Sequence, residues 1–242
     1  MEKTARFLRA FFFFDKINTM DLVYILGTGT TWQNNEIRYS LRSVEKNVSD
    51  LGNVFVVGEF PEWLQNIIYI PAADPYGQKW RNAYHKISEA CRDERLSEEF
   101  LLMNDDFFIF KEITSENYPY YYKGSLPSFR KKNWGRFLAQ KNMAMDYGVH
   151  RPFRYEKQKF LNLAKIEIWY DCFPLRSFYG NFYKVGGVRC KDKNLTPLSN
   201  EKVFDFNIKD RTDMGIFSVT AKNPTFRRWI DKKFPEKSRF EK

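Results

Sequence analysis

The sequence predicts an α/β fold with a largely parallel sheet, and two observations carry that prediction. The first is an alternation of periods. Short apolar runs at residues 21–26, 53–58, 67–70 and 100–103 read as buried strands, and helix-period segments fall at 36–46 and 78–95. Strand, helix, strand, strand, helix, strand is the order that crossover connections produce. The second is the stretch from Phe100 to Phe110, where Asn104-Asp105-Asp106 interrupts an otherwise apolar run. Adjacent carboxylates repel and need compensation. A divalent cation, Mg²⁺ or Mn²⁺, supplies it at the edge of a phosphate site. The carboxyl end of a strand in an open α/β sheet is also where ligands sit. The competing reading is a surface turn with two solvated acids.

Each element has its own justification. Residues 21–26 (Asp-Leu-Val-Tyr-Ile-Leu) are β-rich and run into Gly27-Thr28-Gly29-Thr30. Glycines let a backbone approach a ligand, and loop N–H groups cradle phosphate. The loop lacks the lysine of a P-loop and the third glycine of a dinucleotide fingerprint. Asn34 or Asn35 is placed to cap the first helix, and Ile37, Leu41, Val44 and Val48 give it one apolar face. Arg38 and Arg42, four apart, share a second face suited to a bidentate grip on a diphosphate. The alternative for the pair is an exposed basic stripe. The second helix carries Trp80, Tyr84, Ile87 and Cys91 on one side, and Lys79 and Asn82 at its start form a plausible anion site.

Beyond residue 110 the texture becomes irregular. Tyr118-Pro-Tyr-Tyr-Tyr122 and Gly124-Ser-Leu-Pro127 read as loop and turn, and helices are expected over 134–147 and 156–168. His150, one of two histidines, sits in the turn Gly148-Val-His-Arg-Pro152. There are no repeats and no low-complexity linker, which favours one domain.

The 242 residues are 43% apolar, enough for a sizeable core, and their 24 Phe and 14 Tyr favour bulky cores or stacking surfaces. Three cysteines without metal spacing fit a reducing compartment. The Phe11–Phe14 run is too short to span a bilayer, and no cleavage site follows it. The net charge of +10 is segregated. Eleven Lys or Arg against two acids lie between Lys123 and Lys165, and eight against three between Lys222 and Lys242. With interleaved aromatics this suits a polyanion, nucleic acid foremost, with solubility and anionic lipid as the other readings.

Several of these stretches together resemble the Stealth family of nucleotide-sugar-dependent transferases. They are Asp21-Leu-Val-Tyr, the Asn35–Asn47 segment, Val54-Phe-Val-Val-Gly58, Pro61-Glu-Trp-Leu64, the segment 96–106 ending in Asn-Asp-Asp, Gly148–Pro152 and the terminal Phe-Pro-Glu-Lys-Ser-Arg-Phe-Glu. The resemblance implies a GT-A-like single domain over 1–242. A Rossmann-type half at 21–110 binds the nucleotide sugar, and an irregular, basic α+β half at 111–242 binds the acceptor. One departure stands out: the family's Trp-Val-Asp/Asn-Gly loop after the first strand is replaced by Ile-Leu-Gly27-Thr-Gly29. That bears on phosphotransfer more than on the donor fold.

The expectation is a cytoplasmic enzyme of a bacterium or an infected host cell, with a viral nucleic-acid-modifying relative as one version of the family. It would move a sugar from a nucleotide sugar, a UDP-sugar first, to an acceptor hydroxyl. The sharpest acceptor is a hydroxymethylated pyrimidine in DNA. Asp105 and Asp106 would hold a divalent metal or the donor diphosphate. Gly27, Thr28, Gly29, Arg38, Arg42, Lys79 and Asn82 would line the donor. His150 or one of the acids would act as base, and Arg130, Lys131 and Lys132 would grip nucleic acid. The rivals are a Stealth-type sugar-1-phosphate transferase of surface polysaccharide synthesis and a non-enzymatic nucleic-acid or membrane-binding protein.

Overall fold

The computed structural model describes residues 19–28, 31–125, 145–165, 174–191 and 201–242. Its centre is a five-stranded sheet built from β1 (Met20–Leu26), β2 (Leu51–Gly58), β3 (Ile68–Ile70), β4 (Glu99–Met103) and β7 (Phe153–Glu156). The strand order is β3-β2-β1-β4-β7, parallel except for β7, which runs antiparallel to β4. All four predicted strands are present, and β7 is the strand the sequence reading missed. It occupies 153–156, where the second late helix was expected to begin, and α3 (Lys157–Ala164) follows directly.

The period of two sorts the strand residues onto two faces. Leu22, Tyr24, Leu26, Val54, Val56, Leu101 and Met103 pack on one side, against Ile37, Leu41 and Val44 of α1 (Asn35–Asn47). Val23, Phe55, Val57, Phe100 and Leu102 pack on the other, against Ile87, Ala90 and Cys91 of α2 (Lys79–Arg92). Both predicted helix faces are therefore the buried ones. The cap of α1 differs from expectation. Asn34 occupies the N-cap position with φ 60° and its side chain makes no cap bond, while Asn35 Nδ2 donates to the Trp32 carbonyl at 2.8 Å.

The apolar run after Asp106 does not prolong β4. It forms β5 (Phe107–Ile109), which pairs antiparallel with β9 (Asp213–Gly215). The backbone of β5 is satisfied on both edges. Toward β9, Ile216 N donates to Asp106 O at 3.1 Å and Phe110 N to Thr212 O at 2.7 Å. Toward α1, polar side chains replace a strand. Ser40 Oγ donates to Phe107 O, Ile109 N donates to Ser43 Oγ at 3.0 Å, and Asn47 Nδ2 donates to Ile109 O at 2.7 Å. Tyr24 on β1 closes the set through its 2.8 Å hydrogen bond with Ser40 Oγ.

A third cluster holds the C-terminal part. Phe108, Phe204, Met214, Phe226, Trp229 and Phe234 join β5 and β9 to α5 (Glu201–Ile208) and α7 (Pro224–Lys233). The abundant aromatics mainly fill cores. The remaining short elements are β6 (Tyr121–Tyr122), paired parallel with β8 (Val188–Arg189), and α6 (Ser218–Ala221), which precedes α7. Asn223 caps α7, accepting from Thr225 N at 2.8 Å ahead of Pro224 at the first helical position. The helix expected over 134–147 lies outside the described residues up to 144, and Met145 forms a bridge with Ser125 instead. Among the described residues no helix is long and apolar enough to cross a membrane.

The chain end is bound to the first half. Gln65 N donates to Phe240 O at 3.0 Å and Lys242 N to Trp63 O at 2.9 Å. Arg42 forms a fork on Glu241, Nε to Oε1 at 2.7 Å and NH2 to Oε2 at 2.9 Å, and its NH1 donates to Phe234 O at 3.0 Å. The Arg42 and Glu241 side chains are 8% and 2% exposed. Breaking one side of such a buried pair leaves an uncompensated charge, which costs about 3–5 kcal/mol. Arg42→Ala is expected to lower unfolding free energy in urea by about 3 kcal/mol. Arg38→Ala, at the half-exposed edge of the same site, is expected to cost about 1 kcal/mol or less. Equal losses for the two would remove Glu241 as the anchor.

Candidate functional site

The strand order places a topological switch between β1 and β4, the position at which open α/β sheets bind ligands. A cleft of about 320 Å³ opens there. Ile25 from β1 and Leu102 and Asn104 from the end of β4 form its floor, Trp80 of α2 one wall, and Arg176 and Ser177 of α4 (Leu175–Phe182) the other. Buried Tyr155 also lines it, and its hydroxyl has no hydrogen-bond partner among the described residues.

Asp105 and Asp106 form the tight turn that leaves β4 beside this cleft, closed by Phe107 N donating to Asn104 O at 3.2 Å. The two acids differ in role. Burial pushes the Asp105 carboxyl up to about 7, with help from the charges of Asp106 and Glu36. Asp106 Oδ2 lies 3.0 Å from His150 Nε2, and its Oδ1 is buried with no hydrogen-bond partner among the described residues.

His150 is brought to Asp106 from 44 residues away. Its Nε2 also lies 3.1 Å from Ile216 O. A carbonyl only accepts, so Nε2 carries the hydrogen and donates to both oxygens. In the neutral ring the basic nitrogen is then Nδ1. Burial alone would lower this imidazole's pKa, as does Arg176. The Asp106 hydrogen bond and charge outweigh both and hold it above its ordinary value. The ring meets Phe107 edge-on at 4.9 Å and stacks on half-exposed Phe217 at 6.1 Å. Gly215 is required by this packing, because a Cβ there would collide with His150 Cδ2.

A second buried acid lies behind the loop. Asp213 of β9 accepts from Tyr118 Oη at 3.0 Å and faces Arg151 Nε at 3.6 Å. Burial raises its pKa to about 6 against the opposing effects of Arg151 and Tyr118.

The structure thus joins Asp105, Asp106 and His150 at one place and distributes the other predicted residues differently. Gly27 and Thr28 follow β1 at the carboxyl end of the sheet, and Gly29 lies outside the described residues. Arg38 and Arg42 face Glu241, so the fork expected on a diphosphate closes on a carboxylate of the same chain, and Arg38 stacks over Trp63 at 4.5 Å. Asn82 fixes the loop before α2, accepting from Tyr76 N at 2.9 Å and donating to Tyr76 O at 2.8 Å, while Lys79 is exposed at the first turn. Arg130, Lys131 and Lys132 lie outside the described residues.

Two residues of the site region escaped the sequence reading. Lys86, two helical turns beyond Lys79, is buried and donates to Leu26 O at 2.5 Å, paired with Asp74 at 2.6 Å beneath the Gly27 loop. Arg176 reaches the His150 loop from α4. A lysine beside the apolar face of a helix and an arginine inside the run Leu175-Arg-Ser-Phe-Tyr were the available signals.

Among the described residues no cluster of three or more His, Cys, Asp or Glu is arranged to hold a metal. The unpartnered Asp106 Oδ1 beside Asp105 nevertheless fits the small share of ligands a protein gives Mg²⁺ when a substrate phosphate supplies others.

No family model matches the chain. Human N-acetylglucosamine-1-phosphotransferase subunits alpha/beta are 30% identical over 105 residues, covering 38% of this chain, and the mouse protein is 28% identical over 109 residues with the same coverage. The chain spans about 8% of the length of these relatives. Among solved structures, the apo-form glycosyltransferase GlyE of Streptococcus pneumoniae aligns with 82% of this chain and 54% of its own, at 13% identity and a TM-score of 0.36, too distant to bear on the reading below.

The Asp105 environment has a measurable signature. Its folded pKa of about 7 lies above the ordinary carboxyl value of 3.8. The folded state therefore holds the proton more tightly, and the associated stability is present below about pH 4 and lost as pH rises through about 7. In metal-free buffer, Asp105→Asn is expected to gain melting temperature over wild type progressively between about pH 4 and about pH 7 and to hold that gain above it. A difference that stays constant with pH would remove this burial effect.

Proposed function

We propose that the protein is a nucleotide-sugar-dependent transferase whose donor occupies the β1/β4 cleft. The observation that carries the reading is the convergence of Asp105, Asp106 and His150 on the carboxyl end of β4, beside a cleft at the strand-order switch. Asp106 fixes the imidazole tautomer through Nε2–H, which directs Nδ1 to take the proton of an acceptor hydroxyl. This is the logic of an acid-oriented histidine base. Asp105 and the free oxygen of Asp106 would hold a divalent cation against the donor diphosphate, where it would neutralise charge on the leaving group. The short Gly27-Thr28 loop would lie over the phosphates, and the basic segment containing Arg130, Lys131 and Lys132 would receive a polyanionic acceptor such as nucleic acid.

A second reading is sugar-1-phosphate transfer, favoured by the similarity to N-acetylglucosamine-1-phosphotransferases. The two differ in which bond of the donor breaks. Glycosyl transfer from a UDP-sugar releases UDP, and sugar-phosphate transfer releases UMP.

The test is a panel of nucleotide sugars with Mg²⁺ or Mn²⁺, offered with polysaccharide and with hydroxymethylated DNA, with the released nucleotide identified. Asp106→Asn is expected to abolish turnover without unfolding. His150→Gln is expected to lower kcat about a hundredfold or more, the usual share of a general base. Full activity in both variants would sink the assignment. Polyanion binding by a wild type that consumes no nucleotide sugar would favour a non-enzymatic binding protein.

A further inference from the structure

Arg176 is separated from His150 by 26 residues and belongs to a different element, yet it holds the loop on which His150 stands. Its NH1 donates to Val149 O at 2.6 Å and to Arg151 O at 2.7 Å, the carbonyls on either side of His150. One nitrogen thus holds the carbonyls of both residues that neighbour the candidate base, with charge-assisted bonds that are stronger than neutral ones. The guanidinium carbon lies 5.7 Å from the ring centroids of both Phe107 and Phe153. Phe107 is the residue after Asp106, and Phe153 begins β7. The same side chain forms part of the wall of the 320 Å³ cleft. It therefore reaches the base loop, the strand that follows the acid, and the cavity.

We propose that Arg176 is the positioning residue that sets His150 on Asp106 from the wall of the cleft. That the cleft takes the sugar-nucleotide donor rests on the function proposed above; the hold on His150 rests on geometry alone. The two hydrogens of one guanidinium nitrogen are fixed in its plane and suit two carbonyls at set positions, whereas a lysine ammonium reaches them as a flexible point charge. Arg176→Lys is thus a partial replacement and Arg176→Met a full removal.

The experiment reads His150 directly. The chain has two histidines, so ¹⁵N spectra of the imidazoles contain two rings, and His85→Gln assigns the other. In both Arg176 variants, without ligand, the His150 Nε2–H resonance is expected to shift or to exchange faster with water, more in Arg176→Met than in Arg176→Lys. In both variants kcat is expected to fall at least about tenfold, with Arg176→Lys recovering part of it. Because Arg176 also lines the cleft, UDP titration by calorimetry is made on the wild type, and the ligand-free imidazole spectra separate positioning from a lost donor contact. If Arg176→Met fails to fold, Arg176→Lys carries the comparison. A His150 resonance unchanged in the variants overturns the proposal. A wild type that binds no UDP refutes the donor reading instead, and the imidazole spectra then decide the role of Arg176 by themselves.

Discussion

The site depends on how β5 is held. A three-residue strand has little pairing of its own, and its backbone groups are costly to leave unpaired when buried. Here α1 acts as a neighbouring strand on one edge through Ser40, Ser43 and Asn47, and β9 completes the other. The Asp105-Asp106 turn is stretched between β4, fixed in the main sheet, and β5, fixed to α1. The carboxylates are therefore presented by backbone with few ways to relax. Serine and asparagine weaken a helix interior slightly, and in α1 they are positioned where β5 requires partners.

Electrostatics explains the second half of the arrangement. The turn concentrates acid: Asp105 and Asp106 are adjacent, and the charge of Glu36 reaches Asp105. Among the described residues, the side chain that meets Asp106 is His150, delivered by a loop that itself needs support. Arg176 grips the carbonyls of that loop, and Arg151, one residue on, turns to Asp213 and stacks over Tyr121 at 4.3 Å. Two arginines thus hold the loop, one through its backbone carbonyls and one through a buried acid. Among the described residues Asp105 has no such partner, and burial together with the charges of Asp106 and Glu36 raises its pKa.

Much of this was legible in sequence and some was not, for a definite reason. Four strands, two helix faces and the paired acids are local patterns with periods of two or 3.6, and all appear where the pattern puts them. His150 was visible as a rare residue type in a turn, but its partnership with Asp106 is a contact across 44 residues. The roles of Arg38 and Arg42 were invisible for the same reason. Their spacing says that they share a face, and only the fold reveals that Glu241, 199 residues after Arg42, meets that face. β7 was missed because Phe-Arg-Tyr-Glu is too short to show alternation against an adjoining helical run. Ser40, Ser43 and Asn47 read as an ordinary polar helix face until β5 is laid beside them.

The fate of the arginines also refines what the net charge of +10 means. Arg42, Arg151 and Arg176 are engaged with Glu241, Asp213 and backbone carbonyls, and Arg154 bridges Glu99. A buried guanidinium with a fixed acceptor adds to formal charge but little to the field outside the molecule. Among the described residues, Lys86 is buried, whereas Lys165, Lys222, Lys232, Lys237 and Lys242 are exposed. If a polyanion is attracted, the attraction would come from charges left at the surface, while Arg42, Arg151 and Arg176 serve the fold and the base loop. An acceptor gripped in this way would be drawn by diffuse charge, with its chemical selection left to the groups around His150 and the half-exposed ring of Phe217.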